Sequence, residues 1–206
     1  MPVAVVLCLP VREGDGTVWV LLGRKKKGFG RGKTVAPGGK VEAGESPAEA
    51  AARELAEETS LVADPRDLED VASIAFRFPA RPASDMDCVV FLARAAVGTA
   101  RESDELEPAW CRADALPTAA MWDDSSRWLP EVLAGRRLDV TVVLGPDNET
   151  VAGYVAVDRS AFDGRVTDGT AVARTDVART TGDPGPGPPP PPGPNGSRSA
   201  RTGPGA

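Results

Sequence analysis

Residues 38–61, GGKVEAGESPAEAAARELAEETSL, join a glycine-rich loop to a strongly helical segment and decide the fold. Ser46 is a good N-cap, Pro47 suits the first helical position, and Glu49 at the third position completes a capping box. The alanine- and glutamate-rich residues that follow have high helix propensity. The sequence therefore predicts a helix over Pro47–Thr59, entered from a loop that contains Gly38-Gly39 and Gly44.

This predicted helix places three acids on one face. Glu54, Glu57 and Glu58 have the spacing i, i+3, i+4, so their like charges repel and favour a counterion. Carboxylate oxygens are ligands that suit Mg²⁺, which can bridge a protein to phosphates. The alternative is an acidic helix face that is simply solvated, with Arg53 beside it.

The composition of the 206-residue chain restricts the chemistry further. The net charge of −6 disfavours binding to a nucleic acid polymer, whereas a small polyanion can bind through bridging cations. The chain has no histidine, which excludes His-dependent triads and His-ligated metals. The three cysteines form no CxxC pair, so we expect no zinc site and buried free thiols at Cys8 and Cys88.

The chain divides into a folded domain and an extension. We expect a domain over residues 1–158, a mobile transitional segment over 159–181, and a disordered Pro/Gly-rich tail over 182–206. Within the domain the sequence predicts two helices and several strands without regular alternation, which indicates the α+β class. The predicted strands are Val3–Leu9, Thr17–Arg24, Val71–Phe78, Asp87–Ala95, Ala109–Arg112, Leu138–Leu144 and Thr150–Val157, and the second helix is Ser125–Ala134.

The spacing around the first helix resembles the Nudix box, Gly-x5-Glu-x7-Arg-Glu-U-x-Glu-Glu-x-Gly-U, where U is a bulky aliphatic residue. Gly39, Glu45 and Arg53-Glu54-Leu55 match, as do Glu57-Glu58, and the single departure is Ser60 in place of the final glycine. The family glycine ends the helix in a left-handed conformation, so Ser60 should cost about 1 kcal/mol there.

The resemblance to the Nudix family covers roughly two thirds of the chain, and beyond the box it includes Leu21-Leu22-Gly23, Lys26-Lys27-Gly28-Phe29-Gly30, Ser103-Asp104-Glu105 and Met121-Trp122. These stretches resemble the branch that hydrolyses oxidised purine nucleoside triphosphates, the 8-oxo-dGTP diphosphatase or MutT type. It implies an α/β/α sandwich with a mixed sheet between helices. It also implies that Glu54, Glu57, Glu58, the Gly38 carbonyl and Glu105 hold Mg²⁺, with Mn²⁺ as a substitute. We expect Glu105 on a loop after the sheet, and its alternative is an ordinary loop acid.

The catalytic residues that the resemblance implies are Arg53, Glu54, Glu57 and Glu58. Arg53 would orient a glutamate of the box. Either Glu54 or Glu58 would activate water, and the products would be a nucleoside monophosphate and pyrophosphate. Lys25 and Lys40 would contact phosphate, although the run of Lys25 to Lys27 could equally be solvated.

The base pocket implied by the resemblance departs from the family pattern at two positions. In the loop before the glycine pair, Val35 stands where the branch has a base-binding Asn. Ser125 replaces the second of two Asp residues, the first of which aligns with Asp124. We therefore expect weaker or different selectivity for 8-oxo-dGTP. Phe76 could instead be core, and Asp124 or Ser125 could cap the second helix. The expected substrate-binding residues are Lys25, Phe29, Val35, Gly39, Lys40, Phe76, Met86, Trp122, Asp123 and Asp124.

Two other functions remain open at this point, namely hydrolysis of another diphosphate such as ADP-ribose or a dinucleoside polyphosphate, and a non-catalytic nucleotide sensor. The expected partner is a small nucleotide, with neither a nucleic acid polymer nor a membrane, and the expected location is the cytoplasm. The proline run Pro188–Pro192 could bind an SH3-like domain, but we expect an unstructured tail that activity does not require. The sequence indicates no particular oligomeric state.

Overall fold

The computed structural model describes residues 1–160, and the predictions for residues 161–206 lie outside the described residues. Two α-helices occur in this part of the chain, α1 over Pro47–Thr59 and α2 over Ser125–Leu133. Its nine strands are β1 Val3–Gly14, β2 Thr17–Lys25, β3 Thr34–Val35, β4 Gly38–Lys40, β5 Glu69–Arg77, β6 Met86–Ala93, β7 Leu106–Arg112, β8 Leu138–Leu144 and β9 Val151–Asp158. The α+β class is confirmed, and within residues 1–160 neither helix is long and apolar enough to cross a membrane.

The strands form a mixed sheet in the order β3-β2-β1-β6-β5-β8-β9, with β4 paired to β1 and β7 paired to β2. The pairs β1–β6 and β5–β8 are parallel, and the other pairs are antiparallel. Strand β1 is long because its first part pairs with β6 and its last residues, Val11 to Gly14, pair with β2. The two-residue turn of the β1–β2 hairpin contains Asp15 and Gly16, both with positive φ, as such turns require.

Each face of the sheet buries its own apolar core, because neighbouring side chains on a strand point to opposite faces. Leu9 of β1 packs into the core with Trp128 and Leu129 of α2, whereas its neighbour Cys8 packs into the core with Leu55 of α1. The helices therefore cover opposite faces, which confirms the sandwich. Cys8 and Cys88 are buried free thiols, as expected.

Three predictions on local structure are corrected. Val35 and the segment Gly38–Lys40 lie in short strands and not in a loop, because β2 and β1 supply backbone partners for them. Strand β7 begins at Leu106 and not at Ala109, since pairing with β2 extends to Lys25. Glu105 consequently lies between two strands and not after the sheet.

Candidate active site

Helix α1 begins and ends as the sequence predicts. The backbone N–H of Glu49 donates to Oγ of Ser46 at 3.3 Å, and the N–H of Ser46 donates to Oε2 of Glu49 at 2.7 Å. At the other end Ser60 adopts a left-handed conformation with φ 63°, and its N–H donates to the Ala56 carbonyl. The expected left-handed cap is confirmed, and a serine occupies a position that favours glycine.

Arg53 connects the acids of this helix to the loop before it. Its guanidinium donates two hydrogen bonds to the carboxylate of Glu45, Nη2 to Oε1 at 2.8 Å and Nε to Oε2 at 3.1 Å. Nη1 also donates to Oε1 of Glu54 at 3.0 Å and to Oε2 of Glu57 at 3.3 Å, and Nη2 donates to the Lys40 carbonyl at 3.0 Å. A planar five-donor cation is suited to holding several oxygens in fixed positions.

Glu54 lies directly against the backbone of the glycine pair. A Cβ atom at Gly39 would come within 2.2 Å of Oε1 of Glu54, so this position requires glycine. Burial raises the pKa of the Glu54 carboxyl, Arg53 lowers it, and the charges of Glu58 and Glu57 raise it. The Glu54 carboxyl therefore binds a proton more readily than an ordinary glutamate.

Glu58 is the buried member of the acidic cluster, with a relative exposure of 4%. Its Oε2 accepts the backbone N–H of Gly38 at 2.9 Å, and its Oε1 accepts the ammonium of Lys25 at 2.9 Å. The same ammonium lies 3.7 Å from Oε2 of Glu105. Glu58 and Lys25 therefore connect helix α1, the glycine pair and the loop before β7.

The donor chemistry here fits a divalent cation. Glu54, Glu57 and Glu58 offer hard oxygen ligands from one helix face, and the backbone of the glycine pair lies against two of them, Gly39 against Glu54 and Gly38 against Glu58. Within residues 1–160 no three acidic side chains already converge on one point. Two cations of the chain itself, Arg53 and Lys25, hold the carboxylates instead.

A cavity of about 440 Å³ opens beside this cluster. Lys25, Gly38, Gly39 and Glu105 line it on the side of the acids. The rest of the lining is largely apolar and aromatic, and includes Val35, Phe76, Phe78, Met86, Trp122 and Leu144. Such a cavity can hold a flat ring at one end and a polyanion at the other.

Two aromatic rings stack at the mouth of the cavity. The rings of Phe29 and Trp122 lie 5.0 Å apart at an angle of 18°, and Phe29 contacts the edge of Phe78 at 6.1 Å. The ammonium of Lys33 lies 5.0 Å from the Trp122 ring centre. Phe29 is 57% exposed, so the stack faces solvent on one side and offers a flat surface to an incoming ring.

Asp124 is a buried carboxyl in the cavity wall, with a relative exposure of 4%. Its Oδ2 accepts the indole N–H of Trp128 at 2.8 Å. Burial raises the pKa of Asp124, and the bond from Trp128 lowers it. Asp124 is the N-cap residue of α2, but the alternative that its side chain caps the helix is not realised, because the carboxylate accepts from the indole of Trp128 and makes no capping bond to a backbone N–H.

Comparison with known proteins identifies the family. The family model described as the NUDIX domain matches residues 1–132, more than half of the chain. The chain belongs to the NUDIX family. Two relatives named oxidized purine nucleoside triphosphate hydrolase, from Mus musculus and Danio rerio, are each 42% identical over 118 residues, which is 57% of this chain and 74% of the relative. The crystal structure of a MutT protein from Bacillus halodurans is 28% identical, with a TM-score of 0.62, covering 75% of this chain and 97% of that one.

Nine of the ten expected substrate-binding residues line the cavity of this Nudix domain. They are Lys25, Phe29, Val35, Gly39, Lys40, Phe76, Met86, Trp122 and Asp124. Asp123 is outside the lining, exposed, and its carboxylate accepts the backbone N–H of Val151 at 2.9 Å. The alternative that Phe76 is core is partly realised, because it is half-buried and packs against core residues while it lines the cavity.

Sequence reasoning did not select several lining residues of the Nudix cavity. Phe78, Trp128 and Leu144 belong to strand and helix patterns that fit core residues equally well. Asn148 lies in the β8–β9 turn, where Asn is a common turn residue and gives no functional signal. Glu45 was matched to the box, but its paired bonds with Arg53 give it a structural role that spacing alone did not indicate.

Proposed function

We propose that this Nudix chain hydrolyses oxidised purine nucleoside triphosphates such as 8-oxo-dGTP to the monophosphate and pyrophosphate, with Mg²⁺ as its metal. One observation carries this proposal. A single cavity is lined by Lys25 and Glu105, which belong to the charged cluster around Glu58, and also by the aromatic ring of Trp122. The cavity therefore accommodates both parts of a purine nucleotide. The relatives from Mus musculus and Danio rerio are named oxidized purine nucleoside triphosphate hydrolase, which agrees with the proposed substrate class.

Glu54, Glu57 and Glu58 with the Gly38 carbonyl are the groups that we propose hold the metal, and Glu105 is a further ligand. A bound divalent cation neutralises phosphate charge and polarises the phosphorus centre. Arg53 fixes the positions of Glu54 and Glu57, and Glu45 fixes Arg53 in turn. Supporting groups of this kind usually matter nearly as much as the ligands.

Of the two candidate bases, Glu54 fits the role better. Both oxygens of Glu58 accept hydrogen bonds, from Lys25 and from Gly38. Oε2 of Glu54 accepts none from any group within residues 1–160, while Oε1 is held by Arg53. Burial also raises the pKa of Glu54. We propose that Glu54 takes a proton from the attacking water as the bond between α- and β-phosphate breaks.

The cavity lining that would surround the base predicts weak selectivity between purine rings. Val35 presents only methyl groups to the cavity, and Asp124 uses one carboxylate oxygen for Trp128. Apolar contacts discriminate weakly between similar rings, whereas hydrogen bonds discriminate strongly. We expect similar kcat/KM for dGTP and 8-oxo-dGTP, and a thousandfold preference for 8-oxo-dGTP would overturn this part of the proposal.

The test is pyrophosphate release from canonical and oxidised nucleoside triphosphates, with Mg²⁺, with Mn²⁺ and without metal. Metal-dependent release that is fast with oxidised purines supports the proposal. The Glu57→Ala variant should lose turnover while remaining folded, with Glu131→Ala, an exposed acid on α2, as its control. Hydrolysis of ADP-ribose or a dinucleoside polyphosphate alone, measured as release of the nucleoside monophosphate, would indicate another substrate class, and no hydrolysis of any of these compounds would indicate a nucleotide sensor.

A further inference from the structure

The turn between β8 and β9 is held in a fixed shape. The Asp147 carboxylate accepts hydrogen bonds from the backbone N–H groups of Glu149 and Thr150 at 3.0 Å each, and from Oγ1 of Thr150 at 2.6 Å. The N–H of Asn148 donates to the Gly145 carbonyl at 2.9 Å. Asn148 has φ 56°, a left-handed conformation that Asn tolerates better than most residues. The position of its side chain is therefore well defined by the turn.

Two contacts place this turn at the aromatic end of the cavity. The carboxylate of Asp123, next to Trp122, accepts the backbone N–H of Val151 at 2.9 Å. Lys33, whose ammonium lies 5.0 Å from the Trp122 ring centre, approaches Glu149 at 3.5 Å. The turn is thus connected to Trp122 through Asp123 and through Lys33.

Asn148 lines the cavity with a side chain that is not satisfied by the protein. Its Oδ1 is buried and has no hydrogen-bond partner within residues 1–160. Buried polar atoms are nearly always paired in native proteins, and leaving one unpaired is unfavourable. An amide carries an acceptor and a donor side by side, so a ligand with a complementary pair would satisfy it.

We propose that the side-chain amide of Asn148 hydrogen-bonds the edge of the purine, and that it determines base preference in place of the apolar Val35. This inference rests on the proposed function. Oδ1 accepts a ring N–H and the amide NH₂ donates to the adjacent carbonyl oxygen. A 6-oxopurine such as guanine or 8-oxoguanine presents that pair of groups, and adenine, which has no ring N–H beside a carbonyl, does not. Asn148 is therefore a specificity-determining residue for 6-oxopurines.

Two substitutions of Asn148 distinguish its hydrogen bonding to the purine from its effect on the stability of the β8–β9 turn. Asn148→Asp keeps the shape and the left-handed backbone, but replaces the donor with a second acceptor that repels the purine carbonyl. Asn148→Gly also keeps the backbone conformation and removes the amide altogether. Glu149→Gln is the matched control, because Glu149 is an exposed neighbour in the same turn, 62% exposed in its ion pair with Lys33.

The measurement is binding of 8-oxo-dGMP and dAMP to each variant, together with kcat and KM for 8-oxo-dGTP and dATP. Asn148→Asp should weaken the binding of 8-oxo-dGMP relative to that of dAMP by about threefold or more, which is the contribution of one ordinary hydrogen bond. For 8-oxo-dGTP the variant should raise KM more than it lowers kcat. Glu149→Gln should leave the ratio unchanged. A smaller change in Asn148→Asp, or no binding of 8-oxo-dGMP by the wild type, overturns the assignment, whereas binding without hydrolysis overturns only the proposed function.

Discussion

The ammonium of Lys25 lies 2.9 Å from Oε1 of Glu58 and 3.7 Å from Oε2 of Glu105. A cation of the chain itself therefore sits between two of the proposed metal ligands. The side chain of Glu58 is 5% exposed and that of Lys25 17% exposed, so water screens the pair only weakly. Lys25 was expected to contact phosphate, and the structure gives it a second task as the counterion of Glu58.

The Lys25→Met variant should lose about 2–4 kcal/mol of stability without metal, because the buried side chain of Glu58 loses its ion-pair partner. Added Mg²⁺ or Mn²⁺ should then stabilise this variant more than the wild type, since the metal no longer competes with an ammonium. Thermal unfolding with and without metal, in the absence of nucleotide, measures both effects. Arg24→Met, which removes an exposed pair with Glu107, is the control, and equal metal stabilisation in all three proteins would contradict the prediction.

Arg53→Lys should lower kcat/KM by about 10–100-fold while the protein remains folded. Lysine keeps the charge, but it cannot donate two parallel bonds to Glu45 and also hold Glu54. Steady-state kinetics and metal titration test this. Arg66→Lys, at an exposed pair with Asp64, should leave both unchanged. Full activity in Arg53→Lys would show that charge alone is sufficient.

Gly39→Ala should reduce kcat by about 100-fold, because its Cβ would displace Oε1 of Glu54 from a distance of 2.2 Å. Gly14→Ala is the matched control, since no atom lies within 4 Å of a Cβ at that position. Both variants are compared by turnover and by circular dichroism. An active Gly39→Ala protein would mean that Glu54 can move without loss of function.

Ser60→Gly should raise the free energy of unfolding by about 1 kcal/mol, which corresponds to roughly 2–4 °C in Tm. The reason is that Ser60 holds φ 63° at the end of α1, a conformation that costs a residue with a Cβ atom. Ser60→Ala retains this cost and should not be stabilised. Calorimetry of the three proteins decides the point, and turnover should be the same in all of them.

Asp124 should make stability decline with rising pH. Its folded-state pKa is raised, mainly by burial, so the folded protein holds this proton more tightly than the unfolded chain. This stabilisation is complete below the pKa of Asp124 in the unfolded chain. It is lost as the pH rises through the higher pKa of Asp124 in the folded protein. The Asp124→Asn variant lacks this loss, so its Tm should rise relative to the wild type between pH 4 and pH 8. A constant difference in Tm across that range would contradict the assignment.

The sequence by itself determined helix α1 to the residue, because its capping box, proline and propensities are all local. It also predicted the left-handed cap at Ser60 and the family, since the box is a strictly spaced motif. The strands β8 and β9 were predicted almost to their ends from two β-rich runs separated by a turn. Short strands such as β3 and β4 could not be found this way, because only a neighbouring strand makes them extended.

Only the tertiary structure decided which charges meet. Lys25 and Glu58 are 33 residues apart and no local rule pairs them, yet the packing of β2 beside α1 brings them into contact. In the same way the turn residue Asn148 reaches the cavity because β8 lies beside β5 and α2. Local propensity determines caps and helices over a few residues. Contacts between distant side chains depend on how the strands pair and on how the two helices pack against the sheet.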